Sequence, residues 1–258
     1  MLIDTHMHTR YSTDSEMTLA EAMARSQELG IGITITDHMD LNYPNPGEFV
    51  FDLGDYCSEY GPYRSEKLLL GVEFGLRMDC LEATRELAGS YPLDYMIGSI
   101  HVINDIDLYW ESFYRGHSKQ EVYSLYFATM LECVKAHDFI HSLAHIDYIS
   151  RYARFADTHV YYDEFKEVID PVLAVLAERG QALEINTKRV LTPEYMALLL
   201  PVYRRFAELG GRHVTVGSDA HRASEIGRDM KTAFDFADCC GLRPVYFKTG
   251  KPEYQARD

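Results

Sequence analysis

Gly32-Ile33-Thr34-Ile35-Thr36-Asp37-His38 is rich in β-branched residues and ends on an aspartate and a histidine. Stiff β-branched side chains fit a pleated, half-buried strand better than a helix. The run is read as a strand carrying two ligand-type residues at its C-terminal end. Related runs recur at Leu2–His8, Leu68–Glu73, Tyr95–His101, Phe139–His145, Ala182–Asn186 and His213–Asp219. Helix signals fill the gaps. Thr18-Leu19-Ala20-Glu21 and Ser118-Lys119-Gln120-Glu121 have the form of capping boxes, and Thr192-Pro193 sets a capping hydroxyl before a proline. Phe165, Val168, Ile169, Val172, Leu173 and Leu176 keep the spacing of one buried helical face. A last helix near Ser224–Cys240 is expected to stop at Gly241. Seven strands alternating with helices predict parallel pairing and an α/β fold. No Ser/Gly-rich linker or charge block divides the chain, so residues 1–258 read as one domain. Met39–Tyr63, rich in Pro, Gly, Asn and Tyr, predicts a long functional loop, a candidate lid.

Composition excludes several classes. With 47% hydrophobic and 25% charged residues, the 258-residue chain can bury a full core. A formal net charge of −15 and the lack of a Lys/Arg run argue against nucleic acid as a partner. No apolar run approaches the ~20 residues of a membrane helix. Met1-Leu2-Ile3-Asp4 has neither the basic nor the apolar region of a signal peptide, so a cytoplasmic home is expected. The five cysteines form no Cys-x-x-Cys pair and are expected to be small hydrophobes. Oligomeric state is not legible.

The strand ends carry the chemistry. Asp4-Thr5-His6-Met7-His8 closes the first run and Asp37-His38 the second. Glu73, His101 and His145 end the third, fourth and fifth, and Gly217-Ser218-Asp219-Ala220-His221 ends the seventh. Strand side chains alternate, so His6 and His8 share a face, as do Asp219 and His221. In a parallel α/β sheet the C-terminal strand ends lie together, where active sites are built. Imidazoles and carboxylates crowded there are best accommodated by divalent cations. Nitrogen and oxygen ligands without thiolate suit zinc, manganese or iron.

In this order, Asp4-x-His6-x-His8-Thr9, Thr36-Asp37-His38, Gly71-x-Glu73, Ser99-x-His101, the His145 strand and Gly217-Ser218-Asp219-x-His221 resemble the PHP (polymerase and histidinol phosphatase) family over nearly the whole chain. The resemblance implies a distorted (β/α)7 barrel of parallel strands with three divalent metal ions at their C-terminal ends. One ion would take His6, His8, Glu73 and Asp219, and Glu73 would bridge to a second held by His101 and His145. The third would take His38, His221 and Asp14, eight positions after His6. Gly98-Ser99-Ile100-His101-Val102, Ala144-His145-Ile146-Asp147-Tyr148 and Glu184-Ile185-Asn186-Thr187 with Arg189 resemble the histidinol-phosphate phosphatase branch. The implied activity is hydrolysis of L-histidinol phosphate in histidine biosynthesis by a metal-bridging hydroxide. Another small-molecule phosphatase or phosphodiesterase, or a non-catalytic metal-binding domain, are the alternatives. A phosphate dianion needs fixed cationic donors, and Arg151 and Arg189 are the expected ones, ahead of Arg154, Lys188 and Arg222. Asp37 is the candidate proton donor to the leaving group; orienting an imidazole is the alternative role for Asp37 and Asp4. Asp40 or Asp147 would meet an amine on the substrate. His117, His137, His141, His159 and His213 are expected to lie outside the site.

Overall fold

The computed structural model describes residues 1–189 and 191–256. Its strands are β1 (Ile3–Asp4), β2 (Gly32–Met39), β3 (Leu68–Gly75), β4 (Tyr95–Ser99), β5 (Val102–Ile103), β6 (Ile106–Asp107), β7 (Ser142–Leu143), β8 (Ala182–Asn186), β9 (His213–Gly217), β10 (Arg243–Lys248) and β11 (Lys251–Tyr254). Nine of them form one sheet in the order β1-β2-β3-β4-β7-β8-β9-β10-β11, while β5 and β6 make a separate hairpin. All the sheet pairings are parallel except β10 with β11. Beyond Asp4 the chain continues alongside β9. Thr5 N–H donates to Val216 O at 3.0 Å, Asp219 N–H to His6 O at 2.7 Å and His8 N–H to Ala220 O at 2.8 Å.

The connecting helices are α1 (Leu19–Leu29), α2 (Leu53–Tyr60), α3 (Leu81–Ser90), α4 (Lys119–Ala136), α5 (Ile149–Tyr152), α6 (Tyr162–Arg179), α7 (Pro193–Glu208) and α8 (Met230–Cys239). Local chemistry starts them where the sequence places them. Thr18 with Glu21 and Ser118 with Glu121 form complete capping boxes at α1 and α4, and Thr192 accepts from Tyr195 N–H ahead of Pro193. Along α6, Phe165, Ile169, Val172, Leu173 and Leu176 are buried. No described helix is long and apolar enough to cross a membrane.

The strand runs are shorter than the sequence reading, β1 ending at Asp4 and β7 spanning only Ser142–Leu143, and α8 begins at Met230 rather than near Ser224. Two further differences shape the molecule more. The Met39–Tyr63 segment is not all loop. Asp52 accepts from Asp55 N–H at 2.9 Å and caps α2, whose Tyr56 and Tyr60 are buried, leaving Asp40–Asp52 irregular. The second is the C-terminal hairpin β10–β11. Val245 and Phe247 pack with Tyr95 and Ala182, the first residues of β4 and β8, and so cover the N-terminal end of the sheet. Asp94 latches the hairpin turn: its side chain accepts from Thr249 N–H at 2.9 Å and its carbonyl from Gly250 N–H at 3.0 Å. The opposite end, where the strands finish, stays free for chemistry.

Candidate metal centre

Register brings the first partners together. His38 on β2 pairs directly with Glu73 on β3, and the chain beyond β1 sets His6 and His8 beside β9. This close approach needs Gly217, where a Cβ would stand 2.3 Å from His6 Cβ and 2.5 Å from Glu184 Oε1.

Glu73 lies at the middle, fully buried. Its Oε2 is 3.2 Å from His6 Nε2 and 3.5 Å from His8 Nε2, while Oε1 is 3.0 Å from His145 Nε2 and 3.4 Å from His101 Nε2. Ser99 Oγ–H donates to Oε1. Asp219 Oδ1 is 3.4 Å from His8 Nε2. Towards solvent, Asp14 reaches His221 Nε2 at 3.0 Å and His38 Nε2 at 3.8 Å. All nine residues expected from the sequence therefore lie in one cluster.

The outward nitrogens decide what the inward ones can do. His6 Nδ1 faces the Glu184 carboxylate at 2.7 Å and must carry the proton, which leaves Nε2 a lone pair in the neutral ring. Ser12 Oγ–H donates to Asp37 Oδ1 at 2.8 Å, so its oxygen accepts from His8 Nδ1–H at 3.1 Å. The His8 Nε2 is then a lone pair as well, only 3.1 Å from that of His6. Glu73 Oε2 and His38 Nδ1 are 3.0 Å apart, yet neither has a hydrogen-bond partner. Facing acceptors and orphaned buried ligand atoms fit divalent cations, whose charge removes the repulsion. Among the described residues four trios have ligand atoms within 4.8 Å of one another: His6–His8–Glu73, Glu73–His101–His145, His8–His38–His221 and His38–Asp40–His101.

Electrostatics favour ionised carboxylates and a neutral His8. Burial opposes charge on His6 and His101, but Glu184 and Glu73 raise the first, and Asp40 and Glu73 the second, well above the ordinary imidazole, so a bound cation must displace those protons. Burial opposes charge on Glu73, but His6, His38 and His101 hold its carboxyl well below the usual range. Burial pushes the His8 imidazole well down, reinforced by His38 and His221. Burial likewise opposes charge on Asp219, yet His8, His6, Lys188 and Arg151 hold it well below the usual range.

A cavity of about 930 Å³ opens over the cluster. Its cationic walls, among the described residues, are Arg151, Lys188 and Arg222. Buried Arg151 donates to Asp219 Oδ2 at 2.8 Å and Asn186 Oδ1 at 2.7 Å, and its Nε has no partner. Arg189 turns elsewhere: it donates to Ser150 Oγ at 2.8 Å and stacks 4.3 Å over Tyr195, outside the cavity lining.

Asp37 needs a correction as a proton donor. It is fully buried, accepts from Thr9 N–H at 2.6 Å, Thr9 Oγ–H at 2.7 Å and Ser12 Oγ–H at 2.8 Å, and takes no part in the cavity wall. Its reach to the cluster runs through Ser12 to His8. Asp4 accepts from Ser218 N–H and Gly227 N–H, both at 2.8 Å. Asp40 orients His101 Nδ1 at 2.9 Å, and Asp147 accepts from Tyr195 OH. His141 stacks 4.8 Å from Phe247 at the far end of the sheet, and His137 bonds Cys133 O at 2.8 Å. Sequence reasoning missed Glu184 and Ser12 as imidazole partners. A carboxylate flanked by apolar Leu183 and Ile185 within the strand Ala182–Asn186 was the available signal for Glu184.

A largely parallel α/β sheet with imidazoles and carboxylates crowded at its C-terminal strand ends defines the class, a metal-centred hydrolase. The chain belongs to the PHP domain family, whose model matches residues 4–188. It is 47% identical over 254 residues to a probable histidinol-phosphatase of Clostridium acetobutylicum, covering 98% of this chain and 100% of that one. It is 30% identical to the histidinol-phosphatase of Lactococcus lactis, covering 86% and 84% of the two chains. It also matches the crystal structure of the L. lactis histidinol phosphate phosphatase complexed with zinc, L-histidinol and phosphate. That match has a TM-score of 0.90 and 27% identity, and covers 98% of each chain.

Proposed function

We propose that the chain hydrolyses L-histidinol phosphate to L-histidinol and phosphate, a step of histidine biosynthesis, as a metal-dependent phosphomonoesterase. The observation that carries the reading is Glu73, a buried carboxylate with one oxygen facing His6 and His8 and the other facing His101 and His145. That is the arrangement of a bridging ligand, in a chain 47% identical to a probable histidinol-phosphatase.

Three ions are proposed, the first held by His6, His8, Glu73 and Asp219 and the second by Glu73, His101 and His145. The third would take His38, His221 and Asp14, which stands at the rim 3.0 Å from His221 Nε2 and 3.8 Å from His38 Nε2. The bonds between the chain beyond β1 and β9 support reading the sheet as a distorted seven-stranded barrel. When bound, divalent ions supply a nucleophile at neutral pH and Lewis-acid stabilisation of phosphoryl charge.

The chain's own residues bind and orient. Arg151 offers a fixed charge to the phosphoryl oxygens, held in place by Asp219 and Asn186. Lys188 adds a second cation at the same wall. Glu184 and the Asp37–Ser12 pair fix the tautomers of His6 and His8, which makes Asp37 a positioning residue. Arg189 braces the α5 segment through Ser150. The net charge of −15 suits a small-molecule partner rather than nucleic acid, and a cytoplasmic setting is part of the proposal.

The test is phosphate release by purified protein loaded with zinc or manganese, against histidinol phosphate and a panel of phosphate esters. Histidinol phosphate should give the highest kcat/KM. Strong turnover of another ester without turnover of histidinol phosphate overturns the substrate, and inactivity of the fully loaded protein overturns the enzyme.

A further inference from the structure

A second cavity, of about 250 Å³, adjoins the metal centre and shares His38, His101, Tyr148 and Tyr152 with the larger one. Two files of aromatic rings lead into it from metal-ligand candidates. The His38 ring meets Phe49 edge-on at 5.3 Å, and Phe49 lies 4.7 Å from Tyr43. On the other side the His101 ring is 5.0 Å from Tyr148, Tyr148 is 5.2 Å from Tyr152, and Tyr152 is 5.2 Å from Tyr109.

Both files end on one carboxylate. Asp107 is buried, accepting from Tyr43 OH through Oδ2 and from Tyr109 N–H through Oδ1 at 2.6 Å. Among the described residues no lysine, arginine or histidine forms an ion pair with it, although an ionised carboxylate out of water is expensive without a counter-charge. Aromatic faces attract cations and stack on flat rings. A carboxylate without a counter-ion at the end of an aromatic cleft is therefore a seat for a small organic cation. An anion there would face Asp107 and Asp40, so the phosphate belongs at the other cavity, by Arg151. The volume is below the roughly 300 Å³ at which drug-sized pockets begin, which selects a compact ligand.

We propose that this side cavity seats the cationic, heteroaromatic half of the phosphate monoester, with Asp107 as its counter-charge and acceptor for a ring N–H. The inference rests on the histidinol phosphate reading given above. It assigns Asp107, Tyr109 and Tyr43 the selection of the alcohol part, apart from the residues that serve the phosphate. It also gives the irregular Asp40–Asp52 segment a task, since that segment supplies the Tyr43–Phe49 wall.

The experiment compares wild type, Asp107→Asn and Tyr109→Ala in zinc-loaded protein of verified metal content. Tyr109 is 58% exposed, so its truncation leaves the core intact. Kinetics are read on histidinol phosphate and on glycerol phosphate, whose alcohol carries no charge or ring, and L-histidinol binding is read by calorimetry. Both variants should lower the ratio of kcat/KM for histidinol phosphate over glycerol phosphate by about tenfold, chiefly through KM, the loss of one charge-assisted or stacking contact. L-histidinol binding should weaken in parallel. An unchanged ratio, whether both substrates slow equally or neither does, overturns the assignment. If wild type does not turn over histidinol phosphate, the functional reading falls, and calorimetry judges the cavity alone: Asp107-dependent binding of L-histidinol upholds it, and no binding by wild type overturns it.

Discussion

Replacing Glu73 by glutamine keeps the shape of the side chain and removes the charge that His6, His38 and His101 share. One oxygen becomes an amide nitrogen that cannot ligate a cation, so one of the two imidazole groups loses its carboxylate ligand and the bridge between them is broken. Glu73→Gln should cost at least about a thousandfold in kcat, a magnitude in keeping with loss of electrostatic stabilisation, and bound metal should fall by elemental analysis; retention of both is the contrary result. Glu184→Gln is subtler. Glu184 bonds His6 Nδ1 at 2.7 Å and accepts from His145 N–H at 2.8 Å, so it orients two ligands without being one. Metal affinity should drop roughly 10–100-fold, and excess metal should restore activity; failure of rescue would refute the orienting role. These ligand positions were legible because strand alternation and C-terminal placement are short-range rules. The Arg189 direction was not, because Ser150 and Tyr195, distant in sequence, set it.

Elements on the closed face of the sheet should affect stability and not chemistry. Asp94 accepts from Arg64 Nε at 2.7 Å and Leu70 N–H at 3.0 Å besides the hairpin turn. Asp94→Ala leaves the Leu70 and Thr249 N–H groups unpaired while the partly exposed Arg64 can turn to water, a loss of about 1–3 kcal/mol. Denaturant unfolding should show that loss while kcat of the metal-loaded protein holds. His141 gives this end a pH response. Burial lowers its imidazole to about 4, against roughly 6.5 in an unfolded chain. The unfolded state thus takes the proton more readily. This contribution is full above about pH 6.5 and is lost as pH falls towards 4. Relative to wild type, His141→Gln should lose stability less steeply across that window; parallel Tm curves for the two proteins would rule it out. Element existence was legible in the sequence where a capping box or a helical period marked it, the former at α1 and α4 and the latter at α6. The Asp52 cap of α2 was hidden in a segment dominated by turn-forming residues. The hairpin was hidden because Val245-Tyr246-Phe247 is too short a signal, and its partners Tyr95 and Ala182 lie far away in the chain.

For the whole molecule, ions that bind only the folded state raise its stability by mass action. One ion at a thousand times its Kd contributes about 4 kcal/mol, or on the order of 10 °C in Tm for a chain of this size. Chelation should lower Tm by at least that amount and manganese or zinc should restore it. A Tm indifferent to chelator would mean that the cluster holds no ion in the native state. Overall architecture was the most legible level, since neighbouring sheet strands mostly follow each other in sequence and only the meeting of the two ends is remote. That meeting has a consequence for biosynthesis. His6 is translated before its neighbours Glu184 and Asp219, which follow some 180 to 210 residues later. Nascent chains therefore carry exposed, incomplete ligand sets until the last parallel strands arrive. Loading with metal becomes a post-translational event, one whose fidelity depends on which free ions the cell offers at that moment.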